Sequence, residues 1–156
     1  MLYKTEAPRS FKFRNICPGD DFRYYQGYQQ ITGEPDTLII TKSMKDTMVF
    51  WKLLNKVLNT PADALAPHAE SINLSPIFVE SVKKVYKRII CVSDFDLAGI
   101  RFAKQCRDHG FEVKFVSTER GWVEDKYKVI DKDLSDFLTN HGRGKTIKLL
   151  NSWEIQ

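Results

Sequence analysis

Arg88-Ile89-Ile90-Cys91-Val92-Ser93-Asp94-Phe95-Asp96-Leu97-Ala98-Gly99 is the stretch on which the reading of this chain turns. Its first six residues form a short run rich in apolar and β-branched side chains, the clearest strand signal in the sequence. Two carboxylates follow at once, two residues apart. In extended backbone such residues point the same way, so Asp94 and Asp96 are expected side by side at the carboxyl end of the strand. Leu97-Ala98-Gly99 is small and apolar, which lets the next helix begin close to the sheet.

Outward from this stretch, apolar runs alternate with amphipathic ones. Leu38-Ile39-Ile40-Thr41 reads as a buried strand. Residues 46–59 carry Val49, Leu53 and Val57 four apart, with Leu54 and Leu58 beside them, which makes one apolar helical face. Ala64-Leu65-Ala66 is a second short apolar segment. Ser75-Pro76 is an N-cap followed by proline at the first helical position, opening a helix to about residue 84 with Ile77, Phe78, Val82 and Val85 near its buried side. Residues 98–109 read as a helix capped by Gly110, and residues 112–117 as a strand. A helical tail starts at residues 134–138 and breaks around Gly142 and Gly144, and residues 147–153 form a last helix. Alternation of this kind predicts an α/β fold with a parallel sheet. Ligands on such sheets sit beyond the carboxyl ends of the strands, where the acidic residues fall.

The 156 residues fit one domain, and the 42% hydrophobic content is enough for a single core. No apolar run approaches the roughly 18 residues of a membrane span, and Met1 to Phe13 has no signal-peptide core. The expected location is the cytoplasm, a host's cytoplasm if the protein is viral. Cys17, Cys91 and Cys106 have no metal-site or disulfide spacing, and Cys91 and Cys106 read as small core residues. A net charge of +4 is compatible with a polyanionic partner without demanding one.

Two adjacent carboxylates at a strand end raise one another's pKa unless a cation lies between them. A divalent ion such as Mg²⁺ suits the position, because it takes oxygen ligands and keeps waters and substrate phosphates in its shell. The plainer alternative is that Asp94 caps the helix and Asp96 is solvated. Asp131, Asp133 and Asp136 form a second acidic cluster downstream, which either reaches the same edge or only caps the following helix. Asp46 reads as structural, a carboxylate in the first turn of a helix.

The run from Ile90 to Gly99 resembles the second Toprim motif, an apolar strand followed by D-x-D-x-A-G. Lys132-Asp133-Leu134-Ser135-Asp136 is similar to the later K-D-x-x-D segment of primase-like members, and Leu38 to Asp46 sits where the first motif, a strand followed by E-G-x-x-D, belongs. The resemblance spans residues 37–142. It implies a Toprim-like fold: about four strands, mainly parallel, with helices on both faces, preceded by a small N-terminal β or irregular segment at residues 1–36 and followed by a helical tail at 143–156. It also implies Mg²⁺ or Mn²⁺ on Asp94 and Asp96, with Asp133 and Asp136 as second-metal or supporting ligands. The activity implied is that of a DNA primase, nucleotidyl transfer from nucleoside triphosphates that makes an RNA primer on a DNA template, with a replicative helicase as a further partner. A Toprim nuclease and a non-catalytic nucleic-acid-binding module are the alternatives. The chain is expected to be a piece of a larger primase or primase-helicase, or a reduced stand-alone version.

Thr41-Lys42-Ser43-Met44-Lys45-Asp46 departs from the first motif, with Lys42 where the family has glutamate and Ser43 where it has glycine. This T-K-S-x-K-D version resembles a variant among phage-type primases, which implies an active enzyme. Lys42 then counts with Asp94 and Asp96 as a catalytic candidate, contacting phosphate as a compact positive charge. Glu70 is a candidate for the missing carboxylate, and a site that binds without turnover is the third reading.

In the N-terminal segment Phe11, Phe13, Phe22, Tyr24, Tyr25 and Tyr28 interleave with Lys12, Arg14 and Arg23. That pattern suits either a platform for single-stranded nucleic acid or a β-hairpin packing its aromatic side on the sheet. Lys12, Arg14, Arg23, Lys45 and Arg101 are the nucleic-acid-binding candidates. Gly142-Arg143-Gly144-Lys145-Thr146 is not a P-loop, because Thr139 stands where glycine is required and no strand leads into it. His68, His109 and His141 lack metal-site spacing.

Overall fold

The computed structural model describes the backbone at residues 2–3, 13–14, 22–68, 73–117, 120–123 and 126–155, and the side chains of 22–68, 73–117 and 130–155. Four parallel strands form the central sheet: β1 Thr37–Ile40, β2 Asp63–Leu65, β3 Arg88–Ser93 and β4 Glu112–Phe115, in the order β2-β1-β3-β4. The register sets Ile40 beside Leu65 on one side and Cys91 on the other, and Ser93 beside Phe115. The α/β class with a parallel sheet and helices on both faces is therefore observed, with all four strands parallel.

Strand alternation divides the core. Leu38, Ile40, Ile89 and Cys91 point to one face, where they meet Phe78, Val79 and Val82 of α2 (Pro76–Val85) and Phe102 and Cys106 of α3 (Leu97–Asp108). Ile39, Ile90 and Val92 point to the other, against Phe50 of α1 (Met44–Phe50), Leu53 and Leu54 of the turns that follow it, and Leu134 and Leu150 of α4 (Leu134–Ser152). The chain moves outward from β1 to β2 and then reverses across β1 to β3 and β4. Right-handed crossovers put helices on opposite faces for the two directions of travel, which is the observed distribution. The reversal also leaves a crevice between the carboxyl ends of β1 and β3, the switch point at which such sheets bind ligands.

Several local expectations hold to within a residue or two. Ser75 accepts a hydrogen bond from the Phe78 amide with Pro76 at N1, and Gly110 adopts the left-handed conformation after α3. Others are corrected. The helix predicted over 46–59 starts at Met44 and changes after Phe50 into π-helical turns over Trp51–Leu58, closed by Asn59 in the left-handed region. On α2 the buried residues are Phe78, Val79 and Val82, while Ile77 and Val85 are 69% and 52% exposed. The spacing of apolar residues gives a helix's buried stripe only to within a side chain on each flank.

Between β4 and α4 lies an antiparallel ribbon that alternation did not suggest, β5 Arg120–Val123 with β6 Lys126–Val129. In the N-terminal segment Leu2–Tyr3 pairs antiparallel with Phe13–Arg14. Residues 22–30 form two single 3₁₀ turns rather than strands, tied to the chain after β2 by paired Gln26 and Ala66 backbone bonds. Phe22, Tyr25 and Tyr28 pack on the core, with Tyr25 and Phe78 ring centroids 5.0 Å apart, while Tyr24 is exposed. At the other end Trp153 stacks on Phe50 at 6.0 Å. Gly142 (φ 75°, ψ 169°) kinks α4 where the sequence predicted a break, and Gly144 lies within the helix. Among the described residues no helix is long and apolar enough to cross a membrane.

Candidate functional site

The crevice between β1 and β3 is walled by the residues that leave each strand. Thr41 follows β1 and is fixed by its amide, which donates to the Leu65 carbonyl at 2.9 Å, and by its hydroxyl, which shares a hydrogen bond with Thr47 at 2.8 Å. The chain turns there, and Lys42 projects into the crevice. Ser43 caps α1 and exchanges bonds with Asp46: its hydroxyl donates to Oδ2 at 2.6 Å and accepts from the Asp46 amide. The other Asp46 oxygen accepts the Ser135 amide of α4 at 3.2 Å. Asp46 is thus a buried clasp between two helix starts, the structural role expected for it. Burial raises its carboxyl above the usual range and Asp133 adds to the rise, against the hydrogen bonds from Ser43 and Ser135 and the charge of Lys42.

Across the crevice Asp94 is 3% exposed. Its Oδ2 is held by the Lys42 ammonium and, at 3.0 Å, by Lys132. Lys132 Nζ also lies 2.9 Å from Asp96 Oδ2. Asp94 and Asp96 therefore stand side by side with one positive charge between them. Burial pushes the Asp94 carboxyl upward and the two lysines pull it only part of the way back. Burial also acts upward on Asp96, but the Gly99 amide and Lys132 outweigh it and hold Asp96 below the usual range. Burial lowers the Lys132 ammonium, and its hydrogen bonds with Asp96 and Asp94 more than reverse this, raising it. The helix-capping alternative is realised as well: the second Asp96 oxygen accepts the Gly99 amide at 2.8 Å and caps α3. Capping uses Oδ1 and leaves Oδ2 for a cation.

Gly99 explains how α3 starts so close. A Cβ there would lie 2.2 Å from the Asp94 carbonyl oxygen, inside any real contact. The Ser93 hydroxyl donates to the Gly99 carbonyl at 3.1 Å and fastens β3 to the helix. Thr41, Lys42, Pro67, Ser93, Asp94, Gly99 and Phe102 line a small pocket at this point.

The second acidic segment does reach this edge. Lys132 delivers it to Asp94 and Asp96, and Lys45 Nζ lies 3.9 Å from Asp133 Oδ2. Asp133 caps α4 through the Asp136 amide at 2.8 Å and accepts the Ser135 hydroxyl at 2.7 Å. Burial raises its carboxyl, but these bonds together with the charges of Lys45 and Lys42 outweigh it, so that it sits below the usual range. Asp136 is exposed in the first turn of α4. Among the described residues no group of three or more acidic, histidine or cysteine side chains is placed to hold a metal. The carboxylate pair of Asp94 and Asp96 is nonetheless a donor set that fits a hard cation taking its other ligands from water and phosphate, since a cationic group already bridges it.

The remaining candidates are dispersed. Arg23 and Arg101 are exposed, and Lys45 flanks the site. Lys12, Glu70 and the side chain of Arg14 lie outside the described residues. Two features escaped sequence reading. Lys132 was legible only as a member of a motif, because its partners lie a whole crossover and ribbon upstream. His68, just past β2, is buried against Tyr25 with neither ring nitrogen hydrogen-bonded among the described residues. Cys91 and Cys106 are buried free thiols, as expected.

No protein-family model, curated protein or solved structure matches this chain.

Proposed function

We propose that the chain is a Toprim-type catalytic domain acting in primase-like nucleotidyl transfer, with Mg²⁺ or Mn²⁺ on Asp94 and Asp96. The observation that carries this reading is the carboxylate pair at the switch point of a parallel sheet, bridged by one ammonium. Divalent ions bound there would neutralise a nucleotide's phosphates and stabilise in-line displacement at phosphorus.

The chain's own groups set the conditions for that chemistry. Asp94 is buried and fixed in position by Lys42, so its carboxylate is placed before any ligand arrives. Asp96 divides its oxygens between the α3 amide and the crevice. Lys42 and Lys132 place positive charge where phosphate oxygens would lie, and the amino-terminal ends of α3 and α4 add their dipoles at the same edge. Lys42 replaces the carboxylate of the ordinary first motif, which suits it to hold phosphate rather than metal. Asp133 serves as support, since one of its oxygens already caps α4. Template, primer strand and a helicase partner belong to the same proposal.

Two assays on the full chain test it. With single-stranded DNA, ribonucleotides and Mg²⁺ the chain is expected to make short RNA, and Asp94→Ala to make none. Metal-dependent cleavage of DNA, lost in Asp94→Ala, with no primer made, would transfer the same site to the nuclease reading. DNA binding that survives Asp96→Ala, with no metal-dependent turnover of either kind, would leave only a binding module.

A further inference from the structure

Lys132 occupies the place between two carboxylates that a divalent cation would take, 3.0 Å from Asp94 Oδ2 and 2.9 Å from Asp96 Oδ2. The site holds a second ammonium, on Lys42, but the two are not equivalent. The Lys42 side chain is 14% exposed, is paired with Asp94 and sits within a turn pinned by Thr41 and Ser43. The Lys132 side chain is 42% exposed, touches both carboxylates and stands at the start of the segment leading into α4. It is therefore the ammonium that can leave when a metal enters, and its four-carbon stem lets the charge relocate without moving the backbone.

We infer that Lys132 is an exchangeable internal cation: it holds the carboxylate pair in the absence of metal and becomes a ligand for the substrate's polyphosphate once metal displaces it. The inference rests on the metal reading above and adds the residue that couples metal to phosphate. Displacement alone leaves the Lys132 ammonium beside an added divalent charge, which opposes metal binding. A polyanion arriving with the metal gives that ammonium a new partner and removes the opposition. Metal and polyphosphate must then favour one another at this site, by the same factor in both directions.

The signature is a pair of opposite effects in Lys132→Gln, which keeps length and polarity and removes charge. Isothermal titration of the full chain with Mn²⁺ alone is expected to show binding about tenfold tighter than wild type, because the competing ammonium is gone. Titration with inorganic pyrophosphate at saturating Mn²⁺ is expected to show binding about tenfold weaker, because the phosphate partner is gone. A residue that merely props the site would weaken both. Asp94→Asn separates this inference from its foundation: undiminished Mn²⁺ binding there overturns the metal reading and the inference together. If Asp94→Asn loses Mn²⁺ while folded Lys132→Gln binds Mn²⁺ no tighter than wild type, only the Lys132 exchange is overturned, as it is by unchanged pyrophosphate affinity. Wild-type protein gives the same answer without a substitution that could impair folding. With ¹³C-labelled lysine, Mg²⁺ alone should sharpen the Lys132 ε-methylene signal as the ammonium is released, and pyrophosphate should broaden it again. A signal indifferent to both additions refutes the exchange.

Discussion

Gly99→Ala isolates the closest backbone approach in the site. At an ordinary helix position alanine is better than glycine by about 0.8–1.0 kcal/mol, because it loses less conformational entropy. Gly99 is in α3, so propensity alone predicts a more stable protein. The structure reverses the sign. The new methyl would lie 2.2 Å from the Asp94 carbonyl oxygen and 2.9 Å from the Asp94 amide nitrogen and carbonyl carbon. These are backbone atoms, held by the turn that Ser93 and Asp96 close with hydrogen bonds to Gly99, and no side chain can swing away. Overpacking of this kind costs about 1–3 kcal/mol, occasionally more. A fixed backbone neighbour puts it at or above the upper end, so after the propensity gain the net loss is about 2 kcal/mol. For a chain of this length that lowers Tm by about 4–8 °C. The control is Gly144→Ala, an exposed position in α4 where a Cβ would meet nothing within 4 Å, expected to gain roughly 0.5–1 kcal/mol. Urea denaturation of both variants, read by circular dichroism, makes the comparison. Gly99→Ala as stable as Gly144→Ala would refute the argument that α3 is pressed against Asp94.

Three further substitutions probe the frame around the site. Asp63, buried at the start of β2, accepts from the Tyr86 hydroxyl at 2.7 Å and the Thr32 and Gly33 amides at 2.9 and 2.7 Å. Asp63→Ala leaves these donors without their acceptor and should cost about 3 kcal/mol or more, against about 1–2 for Tyr86→Phe, by chemical denaturation. His68→Leu removes a buried imidazole that has no hydrogen bond among the described residues, and is expected to raise stability by about 1 kcal/mol. A lower melting temperature for that variant would mean that His68 has a partner in solution. Trp153→Ala should cost about 3–5 kcal/mol in the same unfolding transition, since Trp153 closes the core against Phe50. A separate early transition with an undamaged main one would make the C-terminal segment an independent appendage.

The fold was legible wherever one short-range rule decides the outcome. Ile89 to Val92 could only be a buried strand, and Ser75-Pro76 could only open a helix. Gly142 was expected to break the helical tail, and α4 kinks there at φ 75°. What failed to show was set by distant neighbours. Ile77 and Phe78 are both apolar, and only the rotation of α2 against the sheet decides which is covered. The aromatic residues from Phe22 to Tyr28 carry strand propensity, yet Phe22 and Tyr25 pack their rings on Phe78 in a segment of 3₁₀ turns. The ribbon of β5 and β6 has Gly121 and two lysines within it, and the alternation from Lys126 to Val129 is only four residues long, too short to announce a strand by itself.

The candidate site divides along the same line, and its charge count shows why. Asp94 and Asp96 were legible because residues two apart on a strand end share a side whatever the rest of the chain does. Lys42 was legible as a candidate from its place after the first strand, but the bridge from Lys132 was not, because contact between Lys132 and Asp94 requires β4, the ribbon and the start of α4 to be in place first. Among the described residues, the two carboxylates and two ammoniums in direct contact sum to zero formal charge. Such a cluster attracts neither a free cation nor a free phosphate strongly. A divalent ion entering by itself would leave it at plus two, and a polyphosphate entering by itself would meet the buried charge of Asp94. Only a metal and a polyanion entering together keep the balance in a place where unpaired charge is expensive. On the proposed metal reading, neutrality of these four groups would favour a metal–polyphosphate complex over either component.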